Sequence, residues 1–373
     1  MAKKILYIIS EVSGGGHLAV SDAIRTAIKE IKGEAAYEHK FVDLFAKTSP
    51  FWIQMCKAYG FMNEHTPWFY SFVYNIGNDP ARFEFLSKFG SGKGIETRVA
   101  RLLEEEKPDL ILSLFQLSNH ITVDVAKKYF PAVPVATVVQ DLISIHYTWV
   151  DPRVDLQIVP TEEAREACIK FGMDEKKIKI LGFPMRPHFL KPTKSKVELR
   201  KEWGLDPNLF TIFLIGGGVG IGRLFAVADA INRSDMQNIQ LVIVAGFNKP
   251  LEDKFLQTKF RFPVKVFGFT DRVPEIMTAS DLIITKAGPG TVVEAITKEL
   301  PMILNYYMPQ EKGNIDYVEK RQIGVYASEP EKIIQELKKM SQPQEMERLS
   351  ANIKKVSHPR AIYDIAEELT RLI

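Results

Sequence analysis

The chain has 373 residues, of which 46% are hydrophobic and 25% charged, with a formal net charge of only +3. At roughly 150 residues per domain that length fits two domains, and the composition excludes a disordered, collagen-like or coiled-coil protein. The near balance of charge argues against a nucleic-acid partner held by bulk basicity. The two cysteines, Cys56 and Cys168, form neither a disulfide scaffold nor a zinc motif, so a reducing cytosol is the simplest compartment.

Lys3 and Lys4 precede an apolar run that ends at Ile9, too short for a secretory leader, and no stretch approaches the roughly 20 residues of a membrane span. Lys3–Ser10 reads as a buried strand. Gly14, Gly15 and Gly16 form a turn, and Val20, Ala23, Ile24, Ala27, Ile28 and Ile31 then recur at helical spacing. Further strands are expected at Lys40–Leu44, Asp109–Leu114, Val133–Val139 and Leu156–Pro160, with helices such as Gly94–Glu106 and Thr161–Phe171 between them. Strands alternating with helices imply a parallel sheet covered on both faces.

The polar run from Lys191 to Lys196 reads as an exposed linker, placed at 188–205, between an N-terminal domain (1–187) and a C-terminal one (206–357). After it the pattern restarts. Thr211–Ile215 is a strand, Gly216–Gly222 a glycine-rich turn and Leu224–Ile231 a helix. Strands follow at Leu241–Ala245, Val264–Phe267, Leu282–Thr285 and Met302–Leu304. The final segment, 358–373, holds a helix free to pack back on the N-terminal domain.

Four loops carry candidate chemistry, because ligands of open parallel sheets bind at the carboxyl ends of strands. In the first, His17 follows the glycines and can serve as a base or phosphate partner near neutral pH. In the second, Gly216, Gly217 and Gly218 can approach a diphosphate, although no Gly-Lys-Ser/Thr of a P-loop follows. In the third, Lys286, Gly288, Gly290, Thr291 and Glu294 follow a strand. Thr291 and Glu294 have capping-box spacing, so Glu294 is either part of a cap or a carboxylate for ribose hydroxyls. In the fourth, Gln310, Glu311 and Asn314 follow the strand at Met302–Leu304.

Together these loops, with Asp141, His146 and Trp149 in a D-x4-H-x2-W pattern and the run Gly182 to Pro187, resemble a GT-B glycosyltransferase. Within that class the chain is similar to the monogalactosyl/monoglucosyl-diacylglycerol synthase family, related to the lipid II-forming N-acetylglucosaminyltransferase. The resemblance implies an α/β fold of two Rossmann-like parallel-sheet domains facing a cleft. It implies transfer of a hexose, glucose or galactose, from a UDP-sugar to diacylglycerol or a glycosyl-diacylglycerol. His17 would be catalytic. Gly216–Gly220 would approach the diphosphate, Phe269 and Val273 would border the uracil, Glu294 would hold the ribose, and Gln310 and Glu311 would hold hexose hydroxyls, with Lys286, Gly288, Gly290, Thr291 and Asn314 also in the donor site. Gly14, Gly15, Gly16, Asp141, His146 and Trp149 would line the acceptor side. Pro309 stands where the family usually has glycine.

No D-x-D motif is present, so the sequence requires no metal or other cofactor, and glycine N–H groups and helix N-termini can stabilise the leaving diphosphate instead. A single attack from the opposite face inverts the anomeric centre. Between Phe51 and Tyr74 nine aromatic residues crowd together, Trp52, Trp68 and Phe69 among them. They are either core or a surface that enters a bilayer. The second reading expects a peripheral enzyme on the cytoplasmic side of the cell membrane, with no nucleic-acid partner. Two other functions share the fold: a UDP-sugar 2-epimerase or hydrolase without a lipid acceptor, and a UDP-sugar sensor.

Overall fold

A computed structural model describes residues 2–11, 15–49, 53–54, 58, 66–83, 93–191, 193–218, 220 and 223–373. The chain divides into two compact units. One comprises residues 1–187 with 360–373, the other 188–359.

The first unit holds a six-stranded parallel sheet: β1 Lys3–Ile9, β2 Tyr37–Asp43, β3 Leu110–Ser113, β4 Val135–Val138, β5 Leu156–Val159 and β6 Ile178–Ile180. Their order is β2-β1-β3-β4-β5-β6. Strands β3, β4 and β5 are buried at every position, as expected of a sheet covered on both faces. The edge strand β2 begins earlier than the sequence suggests, because its alternation of half-buried and exposed residues hides Tyr37–Phe41 from an apolar-run criterion. At the other edge β6 has only three residues, two of them exposed, and gives no sequence signal.

The second unit repeats the plan with β7 Phe210–Ile215, β8 Ile239–Val244, β9 Val264–Phe267, β10 Leu282–Lys286, β11 Met302–Tyr306 and β12 Gly324–Tyr326. Here the order is β12-β11-β10-β7-β8-β9. In each sheet the chain reverses its winding direction beside the first strand, between β1 and β3 and between β7 and β10. Such switch points open a crevice at the strands' carboxyl ends.

Two boundary expectations change. Residues 188–205 are no linker but part of the second unit. They contain the helix Lys196–Glu202, started by a full capping box between Ser195 and Glu198. Leu199, Trp203 and Leu205 are buried. Arg200 is buried too and donates to the Ala279 and Pro207 carbonyls, both at 2.8 Å, and to Asp281 Oδ2 at 2.6 Å. The apolar residues behind the polar stretch, not its composition, decide where this segment goes. The terminal helix Ala361–Thr370 belongs to the first unit, where it packs along the helix Gly15–Lys32 and Tyr363 donates to Glu30 at 2.8 Å.

Candidate active site

At the switch point of the second unit, β7 runs into Gly216–Gly218. Gly217 takes φ +73°, a left-handed conformation that side chains disfavour, and a Cβ there would lie 3.5 Å from Lys286 Cε. The turn is locked from the other side. Phe247 N–H donates to the Gly218 carbonyl at 2.7 Å, and Gly246 comes so close that its Cβ would stand 2.2 Å from Gly218 O. Gly246 and Phe247, on the loop after β8, went unremarked in the sequence. Their place at a strand's carboxyl end was the available signal.

Strand β10 ends at Lys286, and Gly288 then caps the helix Pro289–Thr297 with its backbone alone. The expected capping box is therefore absent. Proline at the first position starts the helix three residues earlier than a Thr291 cap would, which puts Thr291 inside the first turn and Glu294 in the second. Glu294 is half-buried. The open N–H groups of this helix start face the crevice end of β10 and favour an anion. Gly290 has open space where a Cβ would be.

Lys286 turns back across this opening. Its Nζ would be 2.9 Å from a Cβ on Gly288, and it pairs with Glu311 Oε1. The second carboxylate oxygen of Glu311 accepts the Met308 N–H at 3.0 Å, so the side chain, only 4% exposed, is already engaged. Asn314 is buried and donates to the Ala287 carbonyl at 2.7 Å. It braces the turn after β10. Gln310 Oε1 is buried with no partner among the described residues. At the end of β9, Phe269 stacks on Phe247 with ring centres 4.0 Å apart, and both rings are about two-thirds exposed. Val273 opens the helix Val273–Ala279 beyond it.

The switch point of the first unit is built differently. Gly15 and Gly16 are the first residues of the helix Gly15–Lys32, so the glycines continue straight into helix, and Gly14 lies outside the described residues. His17 sits in that first turn. Its ring meets Phe115 edge-on at 5.2 Å and Trp149 at 6.5 Å. Burial lowers its pKa, against the opposing effect of hydrogen bonds to the Leu114 carbonyl and the Gln140 side chain. Nδ1 is buried with no partner among the described residues. The ring is a neutral base oriented from behind, and Gln140, which fixes it by donating to Leu114 at 2.9 Å, was missed in the sequence.

His146 and Trp149 are not the exposed lining expected of them. Both lie within the wall, buried. His146 Nδ1 bonds Thr148 Oγ1 at 2.7 Å and Nε2 bonds the Tyr74 carbonyl at 3.0 Å, while burial pushes its pKa down to about 4. Trp149 Nε1 donates to Asp141 at 2.8 Å. Of these two, Trp149 stands beside the His17 ring, and His146 holds the helix Pro67–Gly77 through Tyr74.

Of the aromatic segment, Trp52 and Cys56 lie outside the described residues. The helix Pro67–Gly77 carries Trp68, Phe69 and Phe72 exposed, at 75%, 39% and 59%, so these three are not core. Its carboxyl end is tied down by His146 and by Tyr147 N–H, which donates to Asn78 at 2.7 Å. Cys168 is buried and burial pushes its thiol up to about 12, an inert state. Among the described residues no group of three His, Cys, Asp or Glu side chains is placed to hold a metal ion, and no helix is long and apolar enough to cross a membrane.

Residues 17–185 match the family model for monogalactosyldiacylglycerol (MGDG) synthase, and residues 211–369 match the glycosyltransferase family 28 C-terminal domain. The chain is 34% identical over 385 residues to monogalactosyldiacylglycerol synthase 1 of Arabidopsis thaliana, covering 100% of this chain and 71% of that one. In fold it is similar to Acinetobacter baumannii MurG, with a TM-score of 0.64 at 12% identity over 99% of both chains. It is also similar to Anabaena HepE in complex with UDP and glucose, with a TM-score of 0.58 at 16% identity over 99% of this chain and 100% of that one. The two six-stranded sheets are thus those of the GT-B fold.

Proposed function

The chain belongs to the monogalactosyldiacylglycerol synthase family of glycosyltransferases, and from that premise we propose that it moves a hexose from UDP-glucose or UDP-galactose to diacylglycerol or a glycosyl-diacylglycerol, with inversion and without a metal. The observation that carries this reading is the second switch point. There a left-handed glycine turn, a lysine and an uncapped helix start converge. That combination suits a diphosphate: backbone N–H groups and one cation neutralise charge where the leaving group develops it.

His17 supplies the other half of the chemistry. An acceptor hydroxyl is a weak nucleophile, and a neutral imidazole takes the proton as the hydroxyl attacks C1 of the hexose. The C1–oxygen bond to the diphosphate breaks, its electron pair leaves with UDP, and Lys286 with the helix N–H groups holds the new charge. One displacement inverts the anomeric centre. Glu294, released from a capping role, accepts ribose hydroxyls in this reading, and Phe269 stacks on the uracil.

The acceptor is a lipid, and Trp68, Phe69 and Phe72 give the first unit an apolar surface that enters the cytoplasmic leaflet as a peripheral contact. Radiolabelled UDP-glucose and UDP-galactose, each with diacylglycerol vesicles and a thin-layer readout, test the proposal. A labelled glycolipid that forms in EDTA, with inverted linkage, is the expected product. UDP release independent of lipid identifies a hydrolase or epimerase instead, and donor binding with no turnover identifies a sensor.

A further inference from the structure

We propose that Glu311 discriminates the intact sugar nucleotide from the free nucleoside diphosphate, through its competition with the diphosphate for Lys286. The proposal rests on the donor-site reading above, and the geometry behind it lies within the second unit. Lys286 Nζ pairs with Glu311 Oε1, and both side chains are largely withdrawn from solvent, at 16% and 6% exposure. The same ammonium lies directly over Gly288 and its stem lies against Gly217. These are the two turns to which a diphosphate comes. One cation therefore has two anionic claimants, and it cannot satisfy both with the geometry of either.

When a diphosphate draws Lys286 away, Glu311 is left as a buried carboxylate beside an anion, with the Met308 N–H at 3.0 Å its remaining donor among the described residues. A buried charge that loses its partner is strongly destabilising. A ligand that brings hydroxyl groups to this place removes the penalty, since each hydroxyl donates to the carboxylate in place of the ammonium. The adjacent Gln310 Oε1, buried with no partner among the described residues, is a second acceptor in need of a donor. A hexose diphosphate ester supplies both the diphosphate and the hydroxyls. The free diphosphate supplies only the first.

Two consequences follow. The intact donor binds without penalty, while the product nucleotide, once the hexose has left with the acceptor, faces an unpaired Glu311 and is expelled. Glu311 thus acts on specificity and on product release, beyond any contact it makes with the sugar.

Calorimetry on the full chain with UDP and with UDP-glucose or UDP-galactose, without lipid, tests this. Glu311→Gln keeps the shape and the Met308 contact but removes the charge. UDP is expected to bind about tenfold more tightly to this variant, a modest part of what an unpaired buried charge costs. Sugar-nucleotide affinity is expected to stay level or fall, and UDP to become a stronger product inhibitor in turnover. Because Lys286 is then the unpaired group, Lys286→Gln/Glu311→Gln provides a neutral second variant. It should bind both ligands more weakly than Glu311→Gln while keeping that variant's shifted preference toward UDP. An unchanged ratio of UDP to sugar-nucleotide affinity in a folded variant overturns the proposal. So does equal weakening of both ligands by Glu311→Gln. A wild-type chain that binds neither ligand would instead remove the donor-site reading itself.

Discussion

Both sheets end in a glycine-bearing segment at a switch point, yet the surroundings of the two are opposite in chemistry. Around Gly216–Gly218 the fold gathers a lysine, a carboxylate, an uncapped helix start and exposed phenylalanines. Around His17, among the described residues, it gathers Phe115, Trp149 and a buried amide. On the proposed reading, the first setting suits a highly charged ligand and the second a neutral one. A diphosphate needs charge compensation, whereas a hydroxyl to be deprotonated needs a base kept neutral, and burial provides the second.

The largest expected effect separates the units by their surfaces. Replacing Trp68, Phe69 and Phe72 by Ser removes three side chains, each worth about 1.5–3 kcal/mol when transferred from water to an apolar phase. Vesicle sedimentation should be lost while UDP affinity and the thermal melt stay near wild type. A collapsed melt would return these aromatics to the core, and retained sedimentation would move the membrane contact elsewhere.

His17→Ala should lower turnover by about 10²–10⁴ while UDP affinity is held, since Lys286 and the glycine turn lie in the other unit. A large loss of UDP affinity in this variant would make His17 a phosphate ligand and blur the contrast. Glu294→Ala tests the charged half by itself. Loss of a hydrogen bond to a charged group costs about 1.5–3 kcal/mol, so calorimetry should show UDP weakened by roughly 10–150-fold. Unchanged affinity would leave Glu294 without a ligand role.

The smallest effect is a pH dependence confined to the first unit. His17, His39 and His146 all have pKa values lowered chiefly by burial, the last two to about 4. The unfolded chain binds protons on these residues at higher pH than the folded one does. Their contribution is therefore present above about 6.5, the unfolded value, and is lost as pH falls toward 4. Amide exchange at pH 7 and pH 5 should show the first unit opening more readily at the lower pH, with the second unit little changed. Through the same shift, activity that depends on neutral His17 should persist below pH 6.5. An acid limb centred at or above 6.5 would show that the reacting base is not this buried ring.

Sequence alone determined the repeated architecture and the loops that hold the site. Buried parallel strands must be apolar along their whole length, and turns at strand ends must be rich in glycine, so both leave local marks. His17, Lys286, Glu294 and Gln310 were readable because each stands a few residues past such a strand. What each side chain does there was not readable, because partners come from distant segments. Glu311 meets Lys286 across 25 positions, His146 meets Tyr74 across 72, and Arg200 meets Asp281 across 81. The start of a helix three residues earlier, at Pro289, removed a cap that spacing had suggested for Thr291 and Glu294. Burial decided the rest. It withdrew His146, Trp149 and Asn314 into the protein and left Trp68 and Phe72 outside. An aromatic or polar residue carries no local record of which neighbours will exclude water from it.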